Sequence, residues 1–386
     1  MSDVDAASDD SPGLRRFVWN AEERRPRAPI RLLLGLVVLV VVGVAAFLAV
    51  GLLVGLSRSV FGTTVGNELT DSIGATLVTT AVPVGGLYLA ARLVDRRWFG
   101  DFGLHLDRGW WLDCAFGAAL GAGLMAAIFG LELAVGWLTV TGLFVAASGS
   151  FASGLLLVVV LFVGVSIREE LLLRGWFLTN LAEGTAGFRG ISPRSAVVFA
   201  TLLSSVVFGI LHAANPNATA ISTASISLAG VFLALGYLLT GELAIPIGLH
   251  FTWNLFQGSV FGFPVSGLGL GVSVIAVEQG GPELVTGGQF GPEAGLVGIA
   301  AMVVGSLLTV WWVRWRTGSV GLDPTVWTPE LRWRAEGEES AADAAEESER
   351  GEPVESDSVE GAQSAETGDV ETPTTETAED RRSGDT

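Results

Sequence analysis

Six side chains in this sequence could do chemistry together. Glu169, Glu170 and Arg174 lie in "SIREELLLRGWFL" (166–178), His212 closes "FGILH" (208–212), and His250 and Asn254 bracket "HFTWN" (250–254). Carboxylates and imidazoles exchange protons and an amide donates hydrogen bonds, so the set suits work on a bound water or the passage of protons. Yet residues 154–165, just before the carboxylates, are almost wholly apolar. An ionisable group near a bilayer centre costs about 2.5–3.5 kcal/mol on insertion scales. A salt-bridge network or a reaction must offset that.

Spacing separates the two. Glu170 and Arg174 stand at i and i+4, share a helix face and can pair, with the acid in the better N-terminal position. Glu169 is rotated by about 100°, and the positions one turn on are Leu172 and Leu173. The plain reading is an interfacial ion-pair cluster with its arginines snorkelling outward. Snorkelling serves an arginine, however, and not two short adjacent acids. His212 alone would pass as an interface histidine, and His250 with Asn254 could merely bond two helices, worth about 0.6 kcal/mol. An acid pair, two histidines and an amide converging from three apolar spans point to a functional site.

The elements that must position these groups are membrane helices. Half of the residues are apolar, mean hydropathy is +0.53 and only 16% are charged, values of a polytopic membrane protein. Eight apolar stretches can span about 30 Å of hydrocarbon: 30–56, 70–93, 111–138, 152–178, 195–214, 219–239, 243–263 and 294–313. The expected fold is an all-α polytopic membrane protein of about eight transmembrane helices, with a polar site between helices 4, 5 and 7. The polar stretch before the first span makes it a poor cleavable signal peptide. Arg15, Arg16, Arg24, Arg25, Arg27, Arg31, Arg92, Arg96, Arg97, Arg108, Arg189, Arg194, Arg314, Arg316, Arg332 and Arg334 fall on one side of that layout, and Arg58 alone on the other. The positive-inside rule then makes both termini cytoplasmic in a multi-pass protein of the cell membrane. Counted from the arginine-rich side, Glu169 lies about 12 residues up span 4 and His212 about 17 up span 5.

Charge and cysteine content narrow the rest. The net charge of −18 sits mostly in residues 335–386, whose 18 acids and three arginines leave the body at −3. The chain divides into a polar, arginine-rich cytoplasmic segment (1–29), a transmembrane region (30–315, with its motifs in 165–256) and an acidic cytoplasmic tail (316–386) too poor in apolar residues to fold. There is no lysine, a halophile-like composition, and the charge argues against nucleic acid as a partner. Cys114 is the single cysteine, which excludes an intrachain disulfide and a cysteine-based zinc cluster. The loop 264–293, rich in turn residues, should lie outside or fold back over the membrane.

"EELLLR" (169–174), "FGILH" and "HFTWN" match EExxxR, FxxxH and HxxxN in that order on successive apolar helices. The sequence resembles the type II CAAX prenyl endopeptidases and their bacteriocin-processing relatives, the CPBP family of intramembrane proteases. "TGGQFGPE" (286–293) is similar to a segment often seen before that family's last span. The resemblance implies an endopeptidase acting near the C-terminus of a membrane-associated, in some relatives prenylated, protein or peptide. Glu169 would be the general base and His212 would help hold the water. His250 and Asn254 would donate to the developing oxyanion, with Glu170 and Arg174 holding the electrostatics and Phe208 packing one turn before His212. No cofactor is needed for this. A metalloprotease-like alternative uses Glu169, His212 and His250 as zinc ligands with an open position for water, although no HExxH is present. A non-enzymatic reading is a transporter, proton relay or scaffold, against which no internal repeat is evident.

Overall fold

The computed structural model describes residues 18–61 and 68–334. Most of the acidic tail, the first 17 residues and the 62–67 connection lie outside the described residues. A short ribbon pairs β1 (Trp19–Asn20) with β2 (Arg25–Pro26). The long helices are α1 (Ala28–Phe61), α2 (Glu68–Ala90), α3 (Arg108–Ala134), α4 (Phe151–Glu170), α6 (Pro193–Leu211), α7 (Ala220–Thr240) and α10 (Leu296–Thr317). α4 runs on through a π-helical stretch, Leu171–Leu178, into α5 (Thr179–Thr185), so a single span covers Phe151–Thr185. Among the described residues, seven helices are long and apolar enough to cross a membrane. The chain is a multi-pass, mainly helical membrane protein.

Local sequence explains where these helices begin and end. Asp107, Ser150, Ser192 and Thr219 are side-chain N-caps of α3, α4, α6 and α7, each accepting from a backbone N–H three residues on. Each satisfies a donor that an uncapped helix leaves unpaired. Gly241 and Gly318 close α7 and α10 in the left-handed conformation, which a residue without Cβ adopts without strain.

The seventh predicted stretch behaves differently. It forms α8 (Ala244–Leu255), extended by a π turn over Phe256–Val260. With that turn the helix runs over 244–260 and covers about 24 Å, so α8 falls short of the roughly 30 Å of a full span. It is instead the buried centre of the bundle, with Ala244 to His250 all buried. It lies against α3 because both helices offer glycine at the crossing. A Cβ on Gly117 would meet the Ile245 carbonyl oxygen at 2.3 Å, and one on Gly248 the Cys114 carbonyl oxygen at 2.1 Å. Small residues at such crossings let membrane helices approach backbone to backbone.

Two features depart from the helical expectation. β3 (Leu138–Ala146) pairs antiparallel with β4 (Val272–Gln279), with a bulge between Val140 and Gly142. This ribbon takes up the connection between predicted spans 3 and 4, from Leu138 on, and part of the turn-rich 264–293 stretch. The arginines that marked one side of the layout are also not all at the surface. Arg25, Arg31 and Arg97 are buried and converge on Glu183 and Asp95. Arg25 reaches Glu183 at 2.8 Å and Arg31 reaches Glu183 at 2.9 Å and Asp95 at 3.2 Å, while Arg97 pairs with Glu183 and, at 2.9 Å, with Asp101. The ion pairs fasten the start of α1, the segment after α2 and α5 to one another.

Candidate active site

The π stretch after Glu170 sets the geometry of the site. A π turn is wider than an α turn and recurs at functional sites. Here it carries Arg174 inward, 1% exposed, where Nη1 donates to Glu170 Oε1 at 3.0 Å and Nη2 to the Gly230 carbonyl of α7 at 3.0 Å. Its guanidinium lies 4.6 Å from the Phe208 ring centroid. Arg174 is therefore an interior cation held by an acid, a carbonyl and a ring, and it does not snorkel.

Glu170, wholly inaccessible, has a second partner that helix periodicity cannot reveal. His250 Nδ1 on α8 lies 2.8 Å from the same Oε1. An ionised carboxylate only accepts, so Nδ1 carries the proton and Nε2 is the free nitrogen of that ring. His212 is the C-cap of α6, and its Nδ1 lies 2.8 Å from the Phe208 carbonyl oxygen. A carbonyl also only accepts, so His212 Nδ1 is protonated and Nε2 presents a lone pair in the neutral ring. Phe208 stands between the two imidazoles, edge-on at 4.7 Å to His212 and 6.1 Å to His250.

Glu169, His212, His250 and Asn254 all line one cavity of about 410 Å³. Its remaining wall is mostly apolar, including Phe162, Leu172, Ile226, Phe232 and Trp253. Glu169 Oε1 accepts from Arg168 at 3.1 Å, whereas Oε2 is buried and has no partner among the described residues. The helix-face argument gave Glu169 no partner one turn on, and the structure supplies its neighbour in sequence. Asn254 makes no side-chain hydrogen bond to a described residue, so both amide protons are open to a ligand. Glu170, Arg174 and the Phe208 carbonyl lie behind the cavity and orient the rings that face it.

The depth difference between Glu169 and His212 also shrinks. Because the fourth span continues to Thr185, Glu169 lies 16 residues from its end, and His212 lies 19 from Pro193 at the start of α6. Three residues amount to about 4.5 Å along a helix.

Sequence reasoning assigned no role to Glu293, Ser266 or Asn215, which also line the cavity. Glu293, 4% exposed, accepts from the Ser266 backbone N–H at 2.5 Å and from the Gln257 amide. Asn215 donates to the Ser266 carbonyl at 3.0 Å. Together they fix the turn 264–268, where Ser266 takes a left-handed φ of 47°, an uncommon conformation for a residue with a Cβ. The available signal was an acid in "TGGQFGPE", just ahead of an apolar span.

Burial pushes the Glu293 carboxyl up to about 7, against the opposing pull of its N–H donors. The folded chain therefore holds this proton more tightly than the unfolded chain. The associated stabilisation is complete below the unfolded value of 4.5 and is lost as pH rises through about 7. Glu293→Gln is expected to flatten the fall in unfolding temperature of the detergent-solubilised protein between about pH 5 and 8. A residual slope should remain, because burial also pushes Asp101 to about 7. An unchanged slope in the variant would show that Glu293 does not titrate in this window.

Among the described residues, no three His, Cys, Asp or Glu side chains are grouped to hold a metal ion. Glu169, His212 and His250 line the same cavity without being grouped as a ligand set. No curated protein and no solved structure matches the chain. Residues 150–256, which carry Glu169, Glu170, Arg174, His212, His250 and Asn254, match the family model described as type II CAAX prenyl endopeptidase Rce1-like, and in that segment the chain is similar to the CAAX-type endopeptidases.

Proposed function

We propose that this protein is an intramembrane endopeptidase that hydrolyses a peptide bond near the C-terminus of a membrane-associated, prenylated protein or peptide. The observation that carries this reading is the pairing, on one apolar cavity, of an unpartnered buried carboxylate oxygen on Glu169 with a histidine whose tautomer is set by a carbonyl. Two acceptors can take the two hydrogens of one water and leave its oxygen lone pair for attack on a carbonyl carbon. Glu169 takes the proton as the C–O bond forms. The Asn254 amide and His250 Nε2 donate to the oxygen that becomes negative. His250 can donate from Nε2 only when doubly protonated, and the Glu170 carboxylate facing Nδ1 balances that charge. Collapse of the tetrahedral intermediate breaks the C–N bond, and the proton held by Glu169 passes to the leaving amine.

The mostly apolar wall suits an isoprenoid or an apolar peptide segment better than a charged one. The test is to reconstitute the full chain in liposomes with a peptide ending in a prenylated cysteine and three further residues, and with its unprenylated twin. Release of the C-terminal tripeptide from the prenylated peptide, several-fold faster than from its twin, is the expected result. Cleavage of neither, together with no shifted C-termini in membranes carrying the protein, would move the assignment to a transporter or scaffold.

A further inference from the structure

A second cavity, of about 230 Å³, is lined by Arg24, Arg92, Arg96, Arg332 and Trp333. Its walls come from three distant parts of the chain. Arg24 sits in the turn of the N-terminal ribbon, Arg92 in the π turn that ends the second span, and Arg96 caps that turn. Arg332 and Trp333 are brought alongside by the bridge between Arg97 and Leu331 and by the Arg332 N–H donating to the Arg96 carbonyl at 3.2 Å. Arg24 and Arg96 hold left-handed backbone, with φ of 53° and 57°, an uncommon conformation for residues with a Cβ.

Among the described residues, no carboxylate lines this cavity. The contrast with the arginines beside it is sharp, since Arg25, Arg31 and Arg97 are each paired with Glu183 and with further acids. Among the described residues, Arg24, Arg92 and Arg96 form no ion pair. They rest on rings instead: Arg24 on Trp333 at 4.4 Å, Arg96 on Trp19 at 5.4 Å, and Arg92 on Trp98 at 6.0 Å. A ring contact uses the face of a guanidinium and leaves the N–H donors along its edge, a planar fork that matches phosphate oxygens. Like charges gathered around one space repel, and an anion with several acceptor oxygens removes that repulsion. Apolar surface is exposed beside the cavity. Leu93, next to Arg92, is 68% exposed at the end of the apolar span, and Trp98, an indole of the kind that favours the headgroup level, is 41% exposed.

We propose that this cavity binds the phosphate of an anionic membrane lipid headgroup, tying the N-terminal ribbon, the end of the second span and the segment after α10 to the membrane surface. The site is separate from the catalytic cavity and stands whether or not the chain is a protease.

The experiment incubates the detergent-solubilised full chain with phosphatidylglycerol or with phosphatidylcholine at about 0.15 M salt, and counts bound lipid by mass spectrometry of the intact complex. The expected result is retention of phosphatidylglycerol over phosphatidylcholine, weakened about fivefold by each of Arg24→Gln, Arg92→Gln and Arg96→Gln, and by about 100-fold when the three are combined. A control carrying Arg108→Gln, Arg189→Gln and Arg194→Gln removes the same charge from the arginine-rich part of the chain outside the cavity, and should keep the preference. Inorganic phosphate at millimolar concentration serves as a separate arm. Phosphate adducts without any preference between the lipids would overturn the lipid assignment. So would a preference lost equally in the control, or one that survives in the triple variant. The single variants, each keeping two of the three arginines, decide the matter if the triple variant does not fold.

Discussion

Glu169→Ala is expected to reduce peptide hydrolysis to background while the protein still inserts and unfolds at its normal temperature. The two halves rest on different magnitudes. A positioned general base contributes about 10²–10⁴ in rate, and without it the water has lost its proton acceptor. His212→Ala removes the second acceptor for the same water, so the double variant should be barely slower than either single one, as for residues that act as a unit. For stability, Glu169 is 21% exposed and its Arg168 partner 27%, and an exposed pair is worth about 0–1 kcal/mol. Glu170→Ala behaves oppositely. Its carboxylate is wholly buried and serves both Arg174 and His250, and deleting one member of a buried ionic group typically costs about 3–5 kcal/mol. Glu170→Ala should therefore lower the unfolding temperature and slow turnover together, through a loosened Arg174 and a His250 without its counter-charge. Peptide release and thermal unfolding in detergent, on the same preparations, separate the two classes. A Glu169→Ala protein that cleaves at the native rate would remove it from the mechanism.

That the two adjacent acids differ so much was only half legible in the sequence. The Glu170–Arg174 pair follows from i, i+4 spacing, and both residues are found joined at 3.0 Å. The His250 contact crosses 80 residues of chain and depends on the close approach of α8 to α4, which no local pattern encodes. Apolar composition located the spans but overestimated the length of α8, because a helix buried in protein and a helix facing lipid are equally apolar. Arginine counting took Arg25, Arg31 and Arg97 as markers of one membrane side and did not show that they turn inward, since that depends on Glu183 and Asp95 being brought beside them by the fold. The β3–β4 ribbon escaped notice for a related reason. "LTVTGLFVA" (138–146) has strand-forming residues, but its partner lies more than 120 positions away, and pairing at that distance leaves no local trace.

Asn254→Ala is expected to lower turnover by about 10²–10³ with little change in substrate affinity, because a donor aimed at a developing oxyanion matters chiefly in the transition state. The structure supports this role for Asn254 in two ways. Its amide lines the cavity, and it makes no side-chain hydrogen bond to a described residue, so no protein contact is lost on truncation and the unfolding temperature should stay put. The same measurement discriminates against zinc chemistry when it is run with exhaustive chelation of the purified enzyme. With Glu169 as base and Asn254 and His250 as donors, activity survives the chelator and His250→Ala loses rate without losing metal. With zinc held by Glu169, His212 and His250, chelation eliminates activity, added zinc restores it, and His250→Ala no longer retains the ion. The chelator-resistant outcome is the expected one. The described acids and histidines form no three-ligand group. An asparagine amide, a poor zinc ligand, is a good hydrogen-bond donor, and its place one helical turn from His250 lets the two address a single oxygen from one face of α8. A stoichiometric zinc that activity follows would replace this mechanism while leaving the protease reading intact.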